Sequence, residues 1–279
     1  MEDTTATERP KTQPARWRQG IAPLFALALC LLAIYALHRE LRAYHLRDIR
    51  QALQALPSTT LWLAGLLTTL SYAVMTGYDV LALRYVGHPL AYRKTALASF
   101  MSYAFSNNLG FGMITGGSAR YRLYGAWGVL ALDIARIILF CSFTFILGLC
   151  TFGSLTLLIF PLEIPVGLHL PFATTRPLGA IFGGAVLAYA GTCLFRRKPI
   201  RAWALEFPIP SWRFASVQLL IGAFDWALAG STLYVLLPHG RELALSHFLT
   251  IFILAQVTGI ISQVPGGIGV FETVVVLLL

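Results

Sequence analysis

The sequence predicts an all-α fold: a polytopic transmembrane helical bundle with re-entrant helical hairpins. Three observations lead there. Hydrophobic residues make up 57% of the 279 and charged residues only 12%, about half the charge fraction of a soluble domain. Mean hydropathy is +0.71. Charge-free apolar runs recur along the chain, each long enough, or nearly so, to cross about 30 Å of hydrocarbon as a helix. Helices are required because lipid offers the backbone no hydrogen-bond partners.

Taken in order, residues 1–20 are polar, with Arg9, Lys11, Arg16 and Arg18 against Glu2, Asp3 and Glu8. They read as a disordered cytoplasmic tail. Residues 21–37 form the first span. His38-Arg39-Glu40 follows directly, with no small-x-small cleavage site, so an uncleaved anchor is expected rather than a signal peptide. Over 38–56, Leu41, His45, Ile49, Ala52 or Leu53, and Leu56 share a helical face while Arg39, Arg42, Arg47 and Arg50 point elsewhere. That pattern suits a helix lying in the membrane interface, with a solvated connector as the alternative.

Further spans are predicted at 58–83, 129–160, 177–195, 213–237 and 246–264. The connection 196–213 carries Arg196, Arg197, Lys198, Arg201 and Arg213 against Glu206, whereas 161–176 is charge-poor and punctuated by proline. The positive-inside rule puts 196–213 in the cytoplasm and 161–176 outside. The loop 84–94, with Arg84, Arg93 and Lys94, is cytoplasmic by the same rule. Residues 95–128 must then begin and end on one side. Their uncharged part, 95–119, is too short for two crossings. A re-entrant hairpin fits: in along 95–105, a turn at Asn107-Asn108-Leu109-Gly110, and back to Arg120 and Arg122. Residues 262–279, opening "SQVPGGIGVFE", form a second broken segment and a candidate counterpart of the first, as in transporters built from paired broken helices. The chain thus divides into the tail 1–20 and one membrane domain, 21–279. It ends inside an apolar run, "TVVVLLL", so it is expected to be the N-terminal part of a longer protein.

Several chemistries are excluded. Cys30, Cys141, Cys150 and Cys193 lie in apolar runs without a CxxC pair, and the six histidines are scattered. HExxH, GxSxG and Walker patterns are absent from the sequence. Gly110-x-Gly112-x-x-x-Gly116 has the wrong spacing for a dinucleotide fingerprint. No catalytic residue, metal or cofactor is expected in this segment. The formal charge of +9 sits mainly in the short connections, which suits topology control and anionic headgroups better than nucleic acid.

Asp79, Asp133, Arg136, Asp225 and Glu272 interrupt spans or hairpins. Each costs about 2.5–3.5 kcal/mol near a bilayer centre unless paired or hydrated. Asp133 and Arg136, three apart, can pair locally. Asp225 is either a buried hydrogen-bonding group or a cavity acid, and Asp79 either pairs with nearby Arg84 or serves a site. If Arg120 and Arg122 meet Asp79 and Glu272 in one recess lined by Asn107 and Asn108, that recess carries both signs. Guanidinium matches phosphate oxygens, and carboxylate suits an ammonium. The pattern describes a phospholipid headgroup.

Three stretches carry a family likeness: "GYDVLALRYVG" (77–87), "LASFMSYAFSNNLGFGMITGGSARYRLYGAWG" (97–128) and "QVPGGIGVFETVVVLLL" (263–279). They resemble the bacterial lysylphosphatidylglycerol synthase/flippase family, the multiple peptide resistance factors. The resemblance implies a parent protein that transfers lysine or alanine from aminoacyl-tRNA to phosphatidylglycerol in a soluble domain. Its membrane domain would move the product to the outer leaflet, conferring resistance to cationic antimicrobial peptides. The acid of the YD motif, the arginine of SxRYR and the acid of GVFE are implied in flipping and fall here on Asp79, Arg120 and Glu272. The implied partners are phosphatidylglycerol, lysylphosphatidylglycerol and the membrane, without nucleic acid in this segment and with a homo-oligomer left open. The implied location is the bacterial cytoplasmic membrane, N-terminus inside. Two other readings stand beside translocation: a structural membrane wall for a phosphatidylglycerol lysyltransferase, and a secondary transporter of a small solute.

Overall fold

The computed structural model describes residues 54, 56–109, 112–163, 174–195, 200–202, 205–207, 209–237, 243–262, 267 and 269–279. The tail, the span expected at 21–37 and nearly all of the helix expected at 38–56 lie outside the described residues. Residues 55–279 form one compact unit.

Eight helices are described: α1 (Ser58–Tyr85), α2 (Tyr92–Leu109), α3 (Gly112–Ala126), α4 (Ala131–Ile159), α5 (Arg176–Phe195), α6 (Trp212–Leu236), α7 (Leu245–Ser262) and α8 (Val270–Leu278). A short antiparallel pair, β1 (Ile200–Ala202) with β2 (Leu205–Phe207), sits between α5 and α6. Otherwise the regular structure is helical. Five helices (α1, α4, α5, α6 and α7) are long and apolar enough to cross a membrane.

Local chemistry sets these boundaries. Pro57 stands just before α1, where its missing N–H costs nothing. Thr68 and Thr69 return their hydroxyls to the carbonyls of Ala64 and Gly65 at 2.8 Å, so neither presents a bare donor to an apolar surround. Gly87 closes α1 at φ 78° and Gly128 closes the α3–α4 corner at φ 84°, conformations that a Cβ disfavours. Ser211 caps α6, its hydroxyl accepting the Phe214 N–H.

α2 and α3 pack side by side as a helical hairpin. At 15 residues α3 is roughly 22 Å long, shorter than the hydrocarbon core, and α2, with the same 18 residues as α7, is far less apolar than it. Gly116 makes the hairpin close-fitting: a Cβ there would lie 2.8 Å from the Ser102 carbonyl oxygen. α7 and α8 also pack on each other, around a break that contains Gly267 (φ 66°) and Gly269 (φ 83°). The 9 residues of α8 cover only about 13 Å.

The contacts fix the helix directions. Ser71 and Tyr78 of α1 meet Asp225, while Tyr85 meets Phe214, so α1 and α6 run antiparallel. Thr144 meets Gln218 and Gly148 meets Gly222, so α4 and α6 run parallel. At that crossing a Cβ on Gly148 would stand 2.6 Å from the Gly222 backbone. Small residues let the two backbones touch, as they do between helices in lipid.

Two apolar clusters result. One, with Tyr78, Leu83, Tyr124, Ile134 and Ile137, joins α1 through α4; the other, with Leu157, Trp226, Phe248, Phe252 and Ile253, joins α4, α6 and α7. The outward faces are apolar too: Trp62 is 80% exposed and Leu187 and Ile261 are each 73% exposed. Large bare apolar surface of this kind is what hydrocarbon, not water, accommodates.

Candidate functional site

The α2–α3 hairpin places a cation against the side of α1. Arg120 lies on α3 and Asp79 on α1; the guanidinium Nε and Nη2 donate to Asp79 Oδ1 and Oδ2, both at 2.8 Å. Tyr124, one turn beyond Arg120, donates its hydroxyl to Asp79 Oδ1 at 2.8 Å. On the α2 side the Tyr103 ring lies 4.7 Å from the guanidinium carbon. Asp79 is fully buried and Arg120 is 4% exposed. This is a two-bond fork with a third donor and a stacked aromatic, the geometry guanidinium adopts best. Tyr103 is itself buried, and its hydroxyl has no hydrogen-bond partner among the described residues.

Other sequence-predicted residues fall elsewhere. Arg84 is not the partner of Asp79. Arg122 is exposed, since two residues along a helix turn the side chain about 200° away from Arg120. It lines an open recess of about 270 Å³ with Tyr121, Gly125, Val129, Ala131 and Ile134. Asn107 is exposed in the last turn of α2, and the side chain of Asn108 lies outside the described residues. Glu272 is exposed on α8, where its Oε2 accepts the Gly269 N–H at 2.7 Å. Its carboxylate therefore caps its own helix N-terminus, a favourable place for an acid. The four-charge recess expected from sequence is not what the hairpin builds. Asp79 and Arg120 are brought together and buried, each compensating the other's charge.

Asp133 and Arg136 lie one turn apart at 3.0 Å, and His88 Nε2 stands 3.3 Å from the other Asp133 oxygen. This cluster ties the α1–α2 link to the start of α4. Asp225 is 2% exposed and receives Ser71 Oγ and Tyr78 Oη, each at 3.0 Å. Sequence reasoning missed Tyr103, Tyr124, Ser71, Tyr78 and His88. For Tyr124 a signal existed, because a residue four beyond Arg120 shares its helix face. The others are joined across helices, which spacing along one strand of text does not reveal. No group of three or more His, Cys, Asp or Glu residues among those described could hold a metal.

Comparison with known proteins locates this architecture. The chain is 41% identical over 266 residues to the uncharacterized protein slr0712 of a Synechocystis species, covering 94% of the chain and 81% of that protein. It is 30% identical over 275 residues to the inner membrane protein YbhN of Escherichia coli, covering 96% and 83%. The chain belongs to the YbhN family. Phosphatidylglycerol lysyltransferases of Bacillus subtilis (24% identical) and Staphylococcus aureus (26%) match 89% and 91% of the chain, but only 29% of their own length. The YbhN-family chain is thus a distant relative of one portion of those larger proteins. No protein-family model matches it. It is a multi-pass membrane protein.

Proposed function

We propose that this chain is a phospholipid-translocating membrane domain that moves an aminoacylated phosphatidylglycerol, or a lipid of the same headgroup chemistry, toward the outer leaflet. Increased resistance to cationic antimicrobial peptides would follow, because an outward-facing lysyl headgroup lowers surface negative charge. The carrying observation is the buried Asp79–Arg120 pair, delivered by a helical hairpin whose second arm, α3, is too short to span the bilayer. Distant similarity to phosphatidylglycerol lysyltransferases supports the choice of lipid.

The mechanism is partner exchange. A buried guanidinium–carboxylate pair is stable only while each charge is compensated. An aminoacylated phosphatidylglycerol carries phosphate and ammonium on one headgroup, so it can replace both partners together. Phosphate takes the Arg120 fork, the ammonium takes Asp79, and no charge is stranded in hydrocarbon. Tyr103, with its face on the guanidinium and its hydroxyl unpartnered, supplies a donor for a phosphate oxygen. Exposed Arg122 beside the recess of Tyr121 and Val129 offers a first contact for the anionic lipid. Glu272 acts from its capped helix end, holding the α7–α8 break in shape. The positive-inside rule puts the N-terminus, 84–94 and 196–213 in the cytoplasm, so loading occurs on the inner leaflet.

The test uses vesicles of phosphatidylglycerol with lysylphosphatidylglycerol confined to one leaflet and a membrane-impermeant amine reagent on the other side. Vesicles containing the protein should expose lysyl amines at least tenfold faster than protein-free vesicles. Equal rates would leave the structural-wall reading in place. Transport of a water-soluble amino acid with no lipid exposure would favour the solute transporter.

A further inference from the structure

The bundle contains the same arrangement twice, in opposite directions. α1 carries Tyr78-Asp79 and leads to the α2–α3 hairpin, whose second helix opens at Gly112, the second glycine of the sequence Gly-Phe-Gly. α6 carries Phe224-Asp225 and leads to the α7–α8 hairpin, whose second helix opens after Gly267-x-Gly269. α1 and α6 pack against each other, and they run antiparallel, since Ser71 and Tyr78 meet Asp225 and Tyr85 meets Phe214. Each unit therefore presents an acid that follows an aromatic residue on its leading helix.

Their acids are compensated differently. Eight residues beyond Gly112 stands Arg120, which neutralises Asp79. Eight residues beyond Gly269 stands Leu277. Asp225 is nevertheless 2% exposed and in contact with two neutral hydroxyls. Among the described residues it has no ion-pair partner. The groups facing it from each packed helix do not replace one. α1 brings Tyr78, with Asp79 beside it already matched by Arg120. α4 brings the Phe145 carbonyl, which accepts the indole N–H of Trp226 beside Asp225. On α5, Tyr189 donates to Gln218, two turns down α6 from Asp225, and Cys193 is a further thiol. α7 presents Phe248 and Phe252 to this part of the core, and its His247 lies against Phe160.

We propose that Asp225 is an intramembrane proton-binding site, the inverted counterpart of Asp79, holding a proton where Asp79 holds Arg120. The contacts accommodate either form. A hydroxyl accepts as readily as it donates, so Ser71 Oγ receives the acid proton on Oδ1 while Tyr78 continues to donate to Oδ2. On release, the proton passes to water and Ser71 turns back to donate. Ionisation leaves an anion with no cation at the α1–α6 interface, which favours separating those helices. Separation of α1 from α6 frees the helix that carries Asp79, so proton release at Asp225 and headgroup exchange at Asp79 are linked. This linkage rests on the translocation reading above; the proton site itself does not.

The test is infrared spectroscopy of the full chain in phosphatidylglycerol vesicles, grown with carboxyl-labelled aspartate and titrated across neutral pH. The wild type should show a protonated-carboxyl band that is absent from Asp225→Asn, which keeps both hydroxyl contacts. Asp225→Glu should restore a band outside the labelled set. Should Asp225→Asn not fold, the wild-type band against the Asp225→Glu spectrum gives the same answer. An Asp225 that is carboxylate throughout the titration overturns the proposal. A protonated Asp225 in a protein that moves no lipid leaves the proton site standing and removes the translocation reading. The opposite pair of results removes the proton site alone.

Discussion

Removing either member of the Asp79–Arg120 pair should harm the protein more than its number of bonds suggests. Arg120→Ala deletes two hydrogen bonds of 2.8 Å and leaves a fully buried carboxylate with one donor, Tyr124. Stranding one buried charge costs about 3–5 kcal/mol, whereas the net worth of the intact pair is small. Asp79→Ala strands the guanidinium and should cost a similar amount. The double variant strands neither. It should be no less stable than the worse single, which gives a coupling energy of about 3 kcal/mol or more rather than the near-zero value of independent sites. The assay is reversible unfolding of purified protein in mixed detergent micelles, one titration for each corner of the cycle. Single-variant costs that add to within about 0.5 kcal/mol would mean that the two side chains do not compensate each other, and the reasoning fails.

Two further outcomes follow from the same geometry. Tyr124→Phe removes one donor to a charged acceptor and should cost about 1.5–3 kcal/mol, less than Arg120→Ala, in the same unfolding titration. Gly148→Leu drives a side chain into the Gly222 backbone, which a Cβ alone would approach to 2.6 Å; α4 and α6 must separate, with an expected loss of about 1–3 kcal/mol and a lowered melting temperature.

The bundle was legible because a bilayer leaves few choices. A long apolar run must be helical, so the interiors of α1, α4, α5, α6 and α7 could be read from hydropathy, with ends shifted by a few residues where Pro57, Gly87 and Ser211 set them. The hairpin followed from parity together with the shortness of 95–119, an argument about sides of the membrane rather than propensity. The two-stranded pair at 200–207 had no such signal, lying in a basic connection free of periodicity.

The site was legible only in part. Charges in apolar text stand out, so Asp79, Arg120 and Asp225 were visible as costly residues needing partners. Which partner each takes is decided by how helices cross. Arg84 is near Asp79 in sequence, yet Arg120 reaches it with a planar fork from another helix. Glu272, an acid following a glycine cluster, could be read as standing beside a helix N-terminus, and its carboxylate accepts the Gly269 N–H there. Arg122 could have been separated from Arg120 by helical rotation alone.

The central claim is that a lipid headgroup exchanges against the Asp79–Arg120 pair. Its most direct measurement is the rate at which lysylphosphatidylglycerol amines become reactive across phosphatidylglycerol vesicles containing wild type, Asp79→Asn or Arg120→Ala, each checked for native helicity. Headgroup exchange predicts a loss of tenfold or more in both folded variants, approaching the protein-free rate. Folded variants that expose lysyl amines as fast as the wild type would contradict it.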